Sequence, residues 1–232
     1  MNPSLLNACK TYIRAQSDLP PGSRAHGRPA VTISREAGAG GVTVGRLVAE
    51  QLQAQQKKDE CPWAVFDRNL VERVLEDHEL PKAIKDFMPE DTTAELKTTF
   101  EELLGLHPPS WTLFEHTTDT ILRLAQAGNV VIVGRGSNII TSRLRHVLHV
   151  RMVAPLEKRI AHIAECRHLN HEEAVAFVHK TDKARRRYVS RYLNGDISDP
   201  LAYHLTINTG LSTHDSVARL IVHAVKNLEM RR

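Results

Sequence analysis

Cysteine is scarce in this chain. Its 232 residues include only Cys9, Cys61 and Cys166, an odd number with wide spacing. That excludes a disulfide framework and any zinc site built from closely paired cysteines, and it points to a reducing, cytoplasmic setting. Long hydrophobic runs are missing too: nothing approaches the ~20 apolar residues that a membrane-spanning helix needs. Met1–Pro20 lacks the compact apolar stretch of a secretory leader, because Lys10, Arg14 and Asp18 interrupt it. Aromatic residues make up 5% of the chain, and only Tyr188 and Tyr192 interleave with the basic run around Arg185, which argues against a nucleic-acid surface. No histidine forms an H-x-x-x-H pair enclosing a carboxylate, so His162, His168, His171 and His179 read as surface residues and not as metal ligands. The formal net charge, +4, is modest and suits a phosphate-rich substrate.

What is present is the stretch from Ala30 to Arg46, AVTISREAGAGGVTVGR. A β-branched run comes first, then a cluster of small residues from Ala37 to Gly41. A helical pattern opens at Thr43, with Val44, Leu47, Val48 and Leu52 apolar at spacings of three and four. Strand, glycine turn and helix in that order make an anion cradle: glycines let successive N–H groups face inward, and the helix start adds unpaired donors and partial positive charge. The dinucleotide fingerprint G-x-G-x-x-G is broken here, since Thr43 stands at the third glycine and the next glycine is Gly45. The triphosphate loop G-x-x-x-x-G-K-[ST] is broken as well: Gly40 and Thr43 fit its last half, Arg35 stands at the first glycine and Gly41 at the lysine. The stretch by itself is thus a damaged match to both, and the plainer alternative is a tight strand-to-helix turn without a ligand.

Along the chain, residues 1–29 read as a short amphipathic helix and a Pro/Gly linker, able to pack on the main domain or to join copies of the chain. Strands follow at Ala30–Ser34, Trp63–Phe66, Asn129–Val133, Val147–Val153 and Leu205–Asn208. Helices are expected from Thr43 to about Lys57, through Leu70–Leu75, from Leu156, from His171 to about Tyr192 and over Leu211–Leu228. Residues 81–128 are helical between prolines and lie between the second and third strands; Phe87, Phe100, Trp111 and Phe114 there read as core or as a base pocket. The alternation implies a parallel sheet with helices on both faces. Its carboxyl rim gathers Gly38–Gly41, Asp67–Arg68 and Gly134–Arg135, where open α/β sheets bind ligands. Asp67 is also suited to capping the next helix. An arginine between two glycines suits a phosphate or carboxylate. On the basic helix, Lys183, Arg187 and Arg191 share one face, and Asp182 and Arg186 another.

The segments VTISREAGAGGVTVGRLVAEQL, VFDRNLVERV, VVIVGRGSNII, LHVRMVAPLEKRI and DKARRRYVSRYLNGDISDPLAYHLTINT, in that order, resemble the cytidylate kinase-like family within the P-loop nucleoside-monophosphate kinases. The resemblance covers about residues 30–228. It implies a three-layer α/β fold with a five-stranded parallel sheet of order 2-3-1-4-5 in a domain spanning 30–232, a monophosphate-binding helical insertion within 81–128 and a lid over 157–195. It implies ATP and Mg²⁺, with Gly38, Ala39, Gly40, Gly41, Val42 and Thr43 around the phosphates and Thr43 on the metal. Asp67, Arg68 and Arg135 would face the acceptor, and Asp182, Arg185 and Arg186 would fall in the lid. The chain departs from the family's pattern at Gly41, where a lysine is usual, and at Val133 and Gly136, where aspartates flank Gly-Arg. Arg35 is the candidate replacement for the lysine; Arg46 lies one turn into the helix. The implied activity is phosphoryl transfer from ATP to a nucleoside monophosphate such as CMP or dCMP. The alternatives are a non-catalytic nucleotide-binding regulator and a dinucleotide oxidoreductase using Asp67 on a ribose.

Overall fold

The β-branched runs become five short strands in the computed structural model. They are β1 (Ala30–Arg35), β2 (Ala64–Asp67), β3 (Val130–Val133), β4 (Val147–Val153) and β5 (Leu205–Asn208). All pair in parallel, in the order β2-β3-β1-β4-β5. Six helices are described with them: α1 (Gly41–Gln53), α2 (Pro109–Ala127), α3 (Ser137–Ile140), α4 (Leu156–Arg167), α5 (His171–Leu193) and α6 (His214–Glu229). The structure describes residues 11–12, 15–16, 28–57, 60–67 and 109–229, and within the last span the side chains of 117–228. The expected helix at Leu70–Leu75, the insertion up to residue 108, Arg68, and the side chains of Phe87, Phe100, Trp111 and Phe114 lie outside the described residues.

Side-chain alternation along the strands sorts the core into two layers. Val31, Ile33, Val131, Val133, Val150 and Met152 pack with Val44 and Val48 of α1 and with Val217, Ile221 and Val225 of α6. The other face buries Ala30, Val130, Ile132 and Val147 against Ile121, Leu124 and Ala125 of α2. Tyr12 joins that second layer, edge-on to Phe66 at 5.7 Å, with its hydroxyl donating to the Gly128 carbonyl at 2.6 Å. So part of the N-terminal segment packs on the main domain.

Several boundaries differ from the sequence reading, among them the end of β1 at Arg35, the start of β3 at Val130 and the end of α1 at Gln53, and three more have a local reason. α1 begins at Gly41, two residues before Thr43, because the first helical turn needs no intrahelical N–H bonds and tolerates glycine. β2 runs one residue further, placing Asp67 at its end and in register with Val133. α6 starts at His214 instead of Leu211, since the Thr213 hydroxyl accepts the Ser216 N–H at 3.2 Å and caps the helix there.

Candidate functional site

The loop after β1 turns through two left-handed glycines, Gly38 (φ 81°) and Gly40 (φ 75°), the latter at the N-cap of α1. One stretch of backbone and two side chains wall it. A Cβ on Gly38 would run into the Arg159 backbone, and one on Gly40 into the His214 ring. A Cβ on Gly41 would stand 2.9 Å from Arg35 Cγ. The missing lysine thus has a spatial counterpart: the aliphatic part of Arg35 lies where a side chain at position 41 would begin. Among the described residues, the N–H groups of Gly38, Gly40, Gly41, Val42 and Thr43 have no protein partner. Counted strictly from Arg35, the hydroxyl position of the triphosphate loop falls on Val42; Thr43 is one residue further on and exposed.

The loop is anchored beneath by a buried charge hub. Arg159 of α4 pairs with Asp182 of α5 at 2.6 Å and with Glu36 at 3.3 Å, and it donates to the carbonyls of Ala37 and Ala154. Asp182 also accepts the Ala37 N–H at 2.8 Å, and Glu36 accepts the Ala154 N–H at 3.1 Å. Asp182 therefore spends its charge chiefly on Arg159 and the loop, with Arg185 a longer 3.8 Å away. Arg185, one turn further along α5, donates to the Arg35 carbonyl at 3.0 Å. These bonds fasten the α4–α5 hairpin onto the loop.

Arg35 sits at the centre of the positive field. Burial, then Arg185, push its guanidinium down from the usual arginine range to about 9; Arg135 and Arg151 push the same way and Asp67 opposes them. Burial likewise lowers Arg185. Four guanidiniums and the Asp67 carboxylate thus converge at the carboxyl ends of β1, β2, β3 and β4. Arg135, on the turn after β3, stacks on the Tyr188 ring with its Cζ 3.8 Å from the centroid. Of the residues singled out from the sequence, the structure brings together Gly38–Thr43, Arg35, Asp67, Arg135, Asp182 and Arg185. Arg186 is exposed, and Arg46 is half-buried with its Nε unpaired. The sequence reading missed Arg151, Arg159, Glu36, Ser34 and Tyr203. Arg151 left a signal, a lone cation inside an otherwise buried strand; the charge hub left none, because its members are far apart in the chain.

This geometry defines the class: a three-layer P-loop kinase-type fold with sheet order 2-3-1-4-5 and a lysine-free phosphate loop at the central strand. The model of the cytidylate kinase-like family matches residues 30–211. The chain belongs to that family. A cytidylate kinase from Sulfolobus acidocaldarius is 32% identical over 83 residues, which make up 35% of this chain and 46% of that protein. The match spans about half the length of that relative. An uncharacterised protein from Eubacterium ventriosum shares the fold with a TM-score of 0.62 and 17% identity, over 86% of this chain and 99% of its own. A shikimate kinase from Acinetobacter baumannii, solved with shikimate, superposes more loosely, with a TM-score of 0.43 and 17% identity, over 90% of this chain and 98% of its own. No described helix is long and apolar enough to cross a membrane.

Proposed function

We propose that this chain transfers the γ-phosphoryl group of ATP to a nucleoside monophosphate, with CMP and dCMP the first acceptors to try. The observation that carries this is the crowding of Arg35, Arg135, Arg151 and Arg185 beside a loop with free N–H groups, set against the carboxylates of Asp67 and Asp182. Such a field is built for more than one phosphate. Phosphoryl transfer asks the protein chiefly to position two anions and neutralise charge as it shifts.

In this reading the loop from Gly38 to Thr43 holds the donor phosphates. Arg35 reaches the β/γ region in place of the lysine, and Arg135 and Asp67 orient the acceptor. An acceptor phosphate oxygen bonds to the γ-phosphorus as the bond to the β–γ bridging oxygen breaks, leaving ADP. The α4–α5 hairpin acts as lid, and Arg185 adds charge from it. No group of three or more metal-ligating side chains occurs among the described residues, so Mg²⁺ would rest mainly on phosphate oxygens and water, with the Thr43 hydroxyl, in the first turn of α1, as the protein oxygen offered to it. That fits a metal that arrives with its nucleotide and neutralises phosphate charge. The compartment that suits this chemistry and the sparse cysteine is the cytoplasm.

The test is ADP formation with a panel of monophosphates. Turnover should depend on the added acceptor, and Arg135→Ala should abolish that dependence. A second reading, a nucleotide-binding regulator, is favoured by one observation: Asp182 already occupies the Ala37 N–H. It expects nucleotide to raise the melting temperature without turnover.

A further inference from the structure

Arg151 is a cation inside the sheet, and no carboxylate among the described residues is paired with it. Val150 and Met152 pack with α1 and α6, so Arg151 takes the opposite face of β4, where it is 8% exposed. It forms no ion pair with any described residue; its hydrogen bond is from Nη1 to Ser34 Oγ, at 3.0 Å. Its charge opposes those of Arg35 and Arg185. An arginine carries five N–H donors, and most of these remain unspent. A buried guanidinium crowded by two others, with the solvent-exposed Asp196 carboxylate within range of its charge but not bonded to it, is an arrangement that an anion completes.

Its orientation is fixed by a directed relay. Tyr203 Oη lies 3.0 Å from the Ile197 carbonyl and 3.3 Å from Ser34 Oγ. A carbonyl only accepts, so the single phenolic hydrogen goes to Ile197 and the Ser34 hydroxyl donates to Tyr203. Donors therefore run Arg151 to Ser34 to Tyr203 to Ile197. This chain holds Nη1 and leaves the rest of the guanidinium open. Arg35, by contrast, lies on the α1 side over Gly41. The two arginines flank the end of β1 from opposite faces.

We propose that Arg151 is a phosphate-binding residue for the acceptor, distinct from the arginine at the donor loop, and that Ser34 and Tyr203 are its positioning residues. The ligand is a phosphomonoester dianion. This rests on the reading above only in taking that monoester to be the phosphoryl acceptor.

Two measurements on the full chain separate the claims. Inorganic phosphate, as the probe, should raise the melting temperature of the wild type and lose most of that effect in Arg151→Gln, with Arg151→Lys intermediate. In steady-state turnover, Arg151→Gln should raise the KM for the monophosphate about tenfold to a hundredfold, the range for a charged hydrogen bond, with the KM for ATP unchanged. Tyr203→Phe should raise the acceptor KM less, and add nothing in the Arg151→Gln background. A variant that melts lower but keeps its full phosphate-induced rise, or an unchanged acceptor KM, overturns the proposal, as does a wild type that phosphate fails to stabilise. If the wild type turns over no monophosphate yet phosphate protection is mostly lost in Arg151→Gln and partly in Arg151→Lys, the kinase reading falls and the anion site stands.

Discussion

Restoring the missing lysine should harm this protein. The perturbation is Gly41→Lys. Its Cβ would lie 2.9 Å from Arg35 Cγ and 3.2 Å from Cδ, inside the ~3.5–4.0 Å optimum for carbon contacts. Arg35 would have to withdraw, and with it the guanidinium at the centre of the field. Overpacking of this sort costs about 1–3 kcal/mol, and replacing a helical glycine returns about 0.5–1 kcal/mol. The net, about 1 kcal/mol, should lower the melting temperature by about 2–4 °C for a chain of this size. The larger effect is on rate. An arginine on a transferring phosphoryl group can be worth on the order of 10³-fold or more, and a lysine entering from another direction recovers part of that. We expect kcat/KM, from coupled ADP release, to fall at least about tenfold, which is ~1.4 kcal/mol of barrier. Gly41→Ala, with the same Cβ and no charge, should fall too. The double variant Arg35→Ala with Gly41→Lys should exceed Arg35→Ala alone, since the lysine then has room. A Gly41→Lys enzyme faster than wild type would refute the idea that Arg35 and Gly41 form one unit.

Other consequences can be checked without knowing the acceptor. His149 is held down to about 4, first by burial and then by His204, against an ordinary value of 6.5. Because the folded state resists its protonation, the stability tied to neutral His149 is complete above about pH 6.5 and is lost as pH falls towards about 4. Urea unfolding at pH 7 and pH 5 should differ by about 2 kcal/mol from this group, and His149→Gln should flatten the difference. Asp182→Ala strips Arg159 of its 2.6 Å partner and frees the Ala37 N–H. Breaking a buried pair on one side should cost about 3 kcal/mol, read as a drop in melting temperature, and unchanged stability would mean the hub is ornamental. Gly136 has φ 73° and faces Leu193 of α5, so Gly136→Ala should destabilise by about 1–3 kcal/mol and loosen the Arg135 turn.

Much of the fold was legible because period and punctuation agree. Val147–Val153 and Leu205–Asn208 were bounded by turn residues and appear as strands unchanged. Gly38 and Gly40 announced the loop, and both need their left-handed backbone. Asp67 and Arg135, distant in sequence, reach the same rim because parallel strands all end there. What stayed hidden depended on side chains meeting across the fold. Helical spacing grouped Asp182 with Arg186, yet the α4–α5 hairpin delivers Asp182 to Arg159 and leaves Arg186 exposed. No local pattern marks that pairing. Arg151 went unremarked within an apolar strand, and its meaning came only from the neighbours that β1 and α5 place around it. Gly41 read as a loss until Arg35 was seen filling its space.

The most direct test of the central claim is phosphorus NMR of the wild-type chain with ATP, Mg²⁺ and one monophosphate at a time. For at least one nucleoside monophosphate, its signal should decline as a new diphosphate pair grows in step with ADP. Protection of the chain by ATP with every monophosphate signal unchanged would contradict it.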